Sequence, residues 1–297
     1  MGASSGGMSA LRRICGTFSG DLPAAVFIVW HTSPNAPGYL PIALNRDSKL
    51  PASIAQHGEP IKQGRIYVAP PDHHLLLSAE GIELNRGPRE NRFRPAIDPL
   101  FRTAARTFGR RVIGVILTGR LDDGTNGLLH VKRHGGLAVV QDPKTAEEPS
   151  MCESALEFAG ADFVLPLDHI GPKLVELTRK NVAQQEVTSP MQDRIELGQG
   201  LHPEQVTSPP IELSCPDCNG AVWKTDENGK SIYTCHVGHR FTEEGFVAAK
   251  NEELEIAIWT ANRVPREGQD VPQHAPKGRR QRQNQGGGAG AGRTDSG

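Results

Sequence analysis

The sequence predicts an α/β protein: a doubly wound, mainly parallel sheet with an inserted β-hairpin, plus a small zinc-ribbon-like C-terminal module. Three observations support that class. Short runs rich in Val, Ile and Phe alternate with helix-period stretches between Leu11 and Leu177, the rhythm of strand–helix units packed on a parallel sheet. One of those runs, Val112–Leu117, contains no polar side chain, as a strand buried on both faces requires. Near the end, Cys215-Pro-Asp-Cys218 is followed after sixteen residues by Cys235-His236-Val-Gly-His239, the spacing of two metal-binding knuckles.

Taken in order, the chain opens on the small, glycine-rich stretch Gly2–Gly7. A helical pattern follows at once, with Met8, Leu11, Ile14 and Cys15 on one face. Strand candidates are Ala24–Trp30, Arg65–Ala69, Val112–Leu117, Leu137–Gln141 and Phe163–Leu165. Asp98-Pro99 reads as an N-cap with proline at the first helical position, opening a helix toward Phe108-Gly109. A second helix follows Gly124 and ends at His134-Gly135-Gly136, where glycine suits a C-cap. A third covers Ser150–Ala159, closed by Gly160. Between Tyr67 and Leu84 the helices disappear, and His74–Leu77 and Ile82–Leu84 flank Ser78–Gly81 as a hairpin.

Residues 1–180 thus form the main domain. In 181–210 the apolar period gives way to Gln, Pro, Ser and Glu, a linker. Residues 211–262 form the Cys/His module, ending in a helical pattern through Leu254, Ile256, Ile258 and Trp259. The Gly-, Gln- and Arg-rich tail, 263–297, is locally basic, cannot bury a core and is expected to be disordered.

Bulk properties exclude several classes. A formal net charge of -1 over 297 residues provides no global basic field, so no nucleic-acid partner is expected. No apolar run is long enough for a bilayer and no secretory signal is visible, so a cytoplasmic protein without membrane insertion is expected. Five cysteines, three of them within Cys215–Cys235, do not make the framework of a secreted disulfide-rich domain.

Chemistry is sought beyond the carboxyl ends of the strands, where open parallel sheets bind ligands. Ser4 opens the first helix, His31 follows Phe27–Trp30, and Thr118–Gly124, with Asp122 and Asp123, follows Val112–Leu117. A serine, a histidine and an aspartate on one sheet edge suit hydrolysis: Ser attacks, His takes its proton, and Asp orients the imidazole. The helix end after the turn is placed to stabilise an oxyanion. The other reading of these residues is a Gly/Ser loop, a loop histidine and an ordinary Asp-Asp-Gly turn.

GASSGG (2–7), VWHTSPN (29–35), YVAPPDHHLL (67–76), GPRENRFRPAIDPLF (87–101), ILTGRLDDGTNG (116–127) and SMCESAL (150–156) resemble, in collinear order over Gly2–Leu177, the catalytic domain of the CheB family. Its members are the protein-glutamate methylesterases of bacterial chemotaxis. The resemblance implies Ser4 as nucleophile, His31 as general base and Asp123, rather than Asp122, as the orienting carboxylate. It implies a serine-type hydrolase removing methyl esters from glutamate side chains of a methylated chemoreceptor-like protein, with glutamine deamidation in some members and no catalytic cofactor.

Three features depart from the family. Only Met1 precedes Gly2, so the first strand is expected to be missing. No phospho-acceptor receiver domain is present, so phosphorylation-gated activation is not expected. Arg120 stands where some relatives carry methionine, facing either an anionic substrate group or solvent. Among weaker candidates, Asp72-His73-His74 is read as structural or as part of a substrate cleft rather than as metal-binding, since neighbours in an extended segment point to opposite faces. Arg86, Arg89, Arg92 and Arg94 form a basic stretch that is a solvated loop or a docking surface for an acidic receptor helix.

In the C-terminal module, Cys215, Cys218, Cys235 and His239, chosen over His236, are expected to hold a structural zinc, against a reading as free thiols. The alternative functions are a receptor-binding module that has lost activity with its first strand, or a related esterase or amidase acting on a small molecule.

Overall fold

The structure, a computed structural model, describes residues 1–180, 209–227 and 229–270, with side chains through 261. The chain begins with β1 (Gly2–Ala3), α1 (Gly7–Cys15), β2 (Ala25–Trp30), α2 (Leu40–Asp47), β3 (Ala52–Ile54) and β4 (Arg65–Val68). The hairpin follows as β5 (His74–Leu77) and β6 (Ile82–Asn85). Then come α3 (Ile97–Phe108), β7 (Ile113–Ile116), α4 (Thr125–Arg133) and β8 (Leu137–Gln141). The α/β part closes with α5 (Ser150–Ser154), which runs into a π-helical turn (Ala155–Ala159), β9 (Phe163–Leu165) and α6 (Leu167–Arg179).

The main sheet has the order β3-β4-β2-β1-β7-β8-β9 and is parallel throughout. The apolar runs serve two cores at once because successive strand residues point to opposite faces. Ile66, Val68, Val115 and Val139 pack with Leu11, Leu44 and Ile170 on one face, whereas Tyr67, Ile116 and Val140 pack with Phe101, Leu128 and Met151 on the other. The doubly wound reading therefore holds, with α1, α2 and α6 on one side and α3, α4 and α5 on the other.

The expectation of a missing first strand is corrected. β1 is only two residues long, yet it lies in the middle of the sheet, with Gly2 opposite both Val29 and Ile116 and Ala3 opposite Trp30. The amides of Val29, His31 and Leu117 donate to the carbonyls of Met1 (3.0 Å), Ala3 (3.1 Å) and Gly2 (3.0 Å). Partners on both sides satisfy this backbone, so no long apolar run is needed. Gly2 permits the fit: a Cβ there would lie 2.5 Å from Ile97 Cγ2.

Asp98 is not the N-cap of α3. That position is Ala96, in an extended conformation, and Asp98 lies buried in the first turn, accepting from Gly127 N at 2.6 Å. The hairpin packs on α3, where Thr103 Oγ1 accepts from Leu77 N (3.1 Å) and Thr107 Oγ1 donates to Leu77 O (3.1 Å).

The C-terminal module is an antiparallel sheet of β10 (Ile211–Ser214), β11 (Ala221–Glu227), β12 (Lys230–Cys235) and β13 (Arg240–Thr242), followed by α7 (Glu243–Asp270). Phe246 of α7 stacks on Tyr233 and meets Phe241 edge-on, giving this sheet a small core with Val222 and Cys235. Rather than standing apart, the module through Glu253 belongs to one compact unit with the α/β domain, Met1–Glu253; a second unit begins at Leu254. α7 continues to Asp270, past the boundary at 262, because propagation adds a hydrogen bond per residue once the packed first turns are formed. The linker up to residue 208 and the tail from 271 lie outside the described residues.

Candidate active site

The strand order reverses around β1: the chain moves to β2 on one side and returns to β7 on the other, making this the switch point of the sheet. Three adjacent strands therefore deliver their following residues to one place. Ser4 comes directly after β1, His31 directly after β2, and Asp123 from the loop after β7.

These three side chains form a continuous chain. His31 Nε2 lies 2.7 Å from Asp123 Oδ2, and His31 Nδ1 lies 3.1 Å from Ser4 Oγ. A carboxylate only accepts, so Nε2 carries the proton toward Asp123 and Nδ1 accepts from the serine hydroxyl. The His31 and Asp123 side chains are 3% and 0% exposed, which removes competing water from their hydrogen bond.

Asp123 also accepts from Ile97 N (2.6 Å), Asp98 N (3.3 Å) and Asn91 Nδ2 (2.9 Å). Burial alone would raise its pKa, but the hydrogen bond and charge of His31, with the Ile97 amide and Asn91, hold it below the ordinary carboxylate value. Asp98 is driven the other way, upward, by burial and by the negative charge of Asp123. Of the Asp122-Asp123 pair, Asp123 faces the histidine, whereas Asp122 accepts from Thr242 Oγ1 (2.7 Å) in the C-terminal module.

The turn that carries Ser4 is held from three sides. Ser4 N donates to Thr118 O (3.0 Å), Trp30 Nε1 donates to Ser4 O (2.9 Å), and Thr118 Oγ1 donates to Ser5 O (3.0 Å). Thr118 N in turn donates to the buried Gln141 Oε1 (3.0 Å). Gly119 leaves room for the serine: a Cβ there would come within 2.8 Å of Ser4 Cβ and 2.1 Å of Met151 Sδ. His31 is further fixed by Phe93, whose ring stacks on the imidazole.

Beside His31 lies an apolar groove lined by Met8, Trp30, Pro37, Tyr39, Ile54 and Pro71, among others. Arg120 is exposed, its guanidinium 4.0 Å from Glu148. His74 is buried, donating from Nε2 to Pro88 O (2.9 Å) and accepting from Ala96 N (3.3 Å), which is a structural role. Asp72 takes Arg86 and Arg94, and Arg92 pairs with Glu252, so three of the four arginines in the basic stretch are engaged within the fold.

Cys215, Cys218, Cys235 and His239 are brought together, their ligand atoms all within 4.8 Å of one another. Cys218 and Cys235 sulfurs are 3.7 Å apart, and His239 Nδ1 lies 3.7 Å and 3.5 Å from the sulfurs of Cys215 and Cys235. A tetrahedron with zinc–sulfur bonds of about 2.3 Å has edges of roughly 3.8 Å, so the donor set fits zinc. Burial raises the Cys215 and Cys235 thiols and lowers the His239 imidazole. Without a cation these thiols are protonated; a divalent metal supplies the charge that makes them thiolates. The His236 ring instead lies against Gly220, outside the cluster.

Asn91, Phe93, Trp30, Gln141 and Thr242 were not singled out in the sequence. Asn91 and Phe93 sit within the stretch GPRENRFRPAIDPLF, where arginines dominate the local pattern. Thr242 carries no sequence signal, since its partners lie in another part of the chain.

The CheB methylesterase family model matches residues 1–174. A Leptospira interrogans protein with the provisional name protein-glutamate methylesterase/protein-glutamine glutaminase is 39% identical over 185 residues, covering 62% of this chain and 96% of the relative. An Anaeromyxobacter dehalogenans protein-glutamate methylesterase/protein-glutamine glutaminase is 39% identical over 179 residues, 60% of this chain and 52% of the relative. A protein of the same name from Pyrococcus abyssi is 36% identical over 177 residues, 58% of this chain and 48% of the relative. The chain thus spans nearly all of the first relative and about half of the other two. The crystal structure of the Thermotoga maritima CheB methylesterase catalytic domain superimposes with a TM-score of 0.58 at 36% identity, covering 59% of this chain and 95% of that one. With a family match over more than half its length and a seven-stranded parallel sheet to go with it, this chain belongs to the CheB methylesterase family.

Proposed function

We propose that the chain is a serine hydrolase that cleaves γ-methyl esters of glutamate side chains on a chemoreceptor-like protein, releasing methanol. The observation that carries this reading is the unbroken chain Ser4 Oγ–His31–Asp123, buried at its acid end and open at its serine end.

Ser4 Oγ attacks the ester carbonyl while His31 Nδ1 takes the hydroxyl proton. The imidazolium that forms keeps its Nε2 proton directed at Asp123, whose depressed pKa keeps it ionised through the step. The negative oxygen of the tetrahedral intermediate is met by the amide end of α1, which follows the Ser4–Gly7 turn. Collapse breaks the bond to methoxide, which leaves as methanol with the proton from His31. Water, deprotonated by the same nitrogen, then attacks the acyl-serine and regenerates Ser4. Glutamine deamidation follows the same path with ammonia as the leaving group. None of these steps uses a cofactor.

Cys215, Cys218, Cys235 and His239 would hold a structural zinc: four protein ligands would leave no open position for a substrate. The tight first-strand ladder speaks for a working serine hydrolase over a binding module that lost activity, since Ser4 is anchored rather than loose. The reading is tested by methanol release from a peptide carrying a glutamate γ-methyl ester, set against hydrolysis of p-nitrophenyl acetate. Methanol release supports it; cleavage of the small ester alone favours the small-molecule esterase.

A further inference from the structure

Asn91 is buried and sits in the left-handed backbone region, φ 49°, which asparagine tolerates better than most residues. All three sides of its carboxamide are used. Nδ2 donates to Asp123 Oδ1 (2.9 Å) and to Asp98 Oδ2 (3.0 Å), and Oδ1 accepts from Thr242 N (3.2 Å). The last bond decides the orientation. A backbone N–H only donates, so Thr242 fixes which end of the amide is oxygen and leaves both Nδ2 hydrogens to the two carboxylates.

The same strand holds the Asn91 backbone. Asn91 N donates to Arg240 O (2.7 Å), and Arg240 N donates to Arg89 O (3.1 Å). Arg240 directly follows His239, a member of the Cys/His cluster, and Cys235 N donates to His239 O (2.9 Å). A second grip lies one residue before the acid of the triad: Asp122 accepts from Thr242 Oγ1 (2.7 Å), with Lys230 Nζ 3.7 Å away.

We propose that the Cys/His module is a positioning element of the active site: β13, held by the metal knuckle at His239, orients Asn91, and Asn91 orients Asp123. Asn91 and Thr242 are then positioning residues, and loss of the metal is felt at the triad through a path of four residues. This inference rests on the role proposed for Asp123, so its test keeps the two apart.

The test uses the full chain, p-nitrophenyl acetate as probe, and Ser4→Ala as reference. Ser4→Ala must abolish hydrolysis; if it does not, the reading of the site fails and not this inference in particular. Asn91→Gly keeps the positive φ while deleting the carboxamide. Its kcat is expected to fall on the order of 100-fold, the scale of a small misplacement of a catalytic group, with KM little changed. The acid limb of its pH–rate profile moves upward, because Asp123 loses a donor that favours its charged form. Thr242→Val loses activity and Thr242→Ser restores it. In the wild-type chain, chelator removal of the metal is expected to raise hydrogen exchange at the Asn91 and Thr242 amides as well as at Cys235, leaving β7 protected. Wild-type kcat and pH profile in a folded Asn91→Gly, with Ser4→Ala inactive, overturn the proposal. Should Asn91→Gly not fold, unchanged exchange at Asn91 after verified metal removal overturns it equally.

Discussion

His31 lies flat on Phe93, ring centroids 3.6 Å apart and planes 9° from parallel. The stack covers one face of the imidazole while its two nitrogens are engaged by Ser4 and Asp123. A general base works only while it points at the proton it removes, and packing fixes that direction more cheaply than a further polar partner would. Phe93→Ala is therefore expected to lower kcat about 10-fold, roughly 1.4 kcal/mol in the barrier, with KM for a small ester near the wild-type value. Steady-state kinetics on p-nitrophenyl acetate measure it.

Gly119 is placed where β7 hands the chain to the active-site loop, between Ser4 and Met151. Gly119→Ala puts a methyl 2.1 Å from Met151 Sδ and 2.8 Å from Ser4 Cβ. Methionine adapts, but Ser4 is pinned by Thr118 and Trp30 and gives way only by leaving its position. Activity is expected to fall on the order of 100-fold. Steady-state kinetics on p-nitrophenyl acetate measure the loss.

Much of this was legible in the sequence, for physical reasons that differ by element. β7 and β8 bury both faces and so read as apolar runs; Ser4, His31 and Asp123 stand out in the sequence because a parallel sheet presents polar residues at its strand ends, and the structure brings the three side chains together. β1 was not legible: two residues have no period, and what makes Gly2–Ala3 a strand is the pair of neighbours that hydrogen-bond it. β3 was not legible either: it is an edge strand, Ala52–Ile54, with a serine at its centre and no apolar run to mark it. Asp98 was read as a cap from its proline neighbour, yet tertiary partners Gly127 and Asn91 claim its carboxylate. Asn91 and Thr242 are 151 residues apart, and no local pattern announces a contact of that range.

Asp72 provides a pH dependence of stability. Hydrogen bonds from Arg86 and Arg94 hold its carboxyl at about 2, below the ordinary 3.8. A group with a depressed folded pKa stabilises the fold above its unfolded value and loses that contribution as pH falls through the folded one. Asp72→Asn is therefore expected to cost about 1 kcal/mol at pH 7, reduced by solvent screening of the exposed Arg86. The gap between wild type and variant closes between pH 4 and 2, as read by urea unfolding at each pH.

The Cys/His cluster predicts one zinc per chain by elemental analysis of protein purified without chelator. Cys218→Ser is expected to lower that ratio and to lower the melting temperature, since ligand loss removes binding energy that is also folding energy. A ratio near zero in the wild-type protein contradicts a structural metal.

The most direct measurement is methanol release from a peptide bearing a glutamate γ-methyl ester, by the wild-type chain and by Ser4→Ala at equal concentration. Ser4 Oγ is the atom His31 Nδ1 addresses at 3.1 Å, so release is expected from the wild type and a loss of at least about 1,000-fold from Ser4→Ala. Equal release by the two proteins would contradict the assignment of Ser4 as nucleophile.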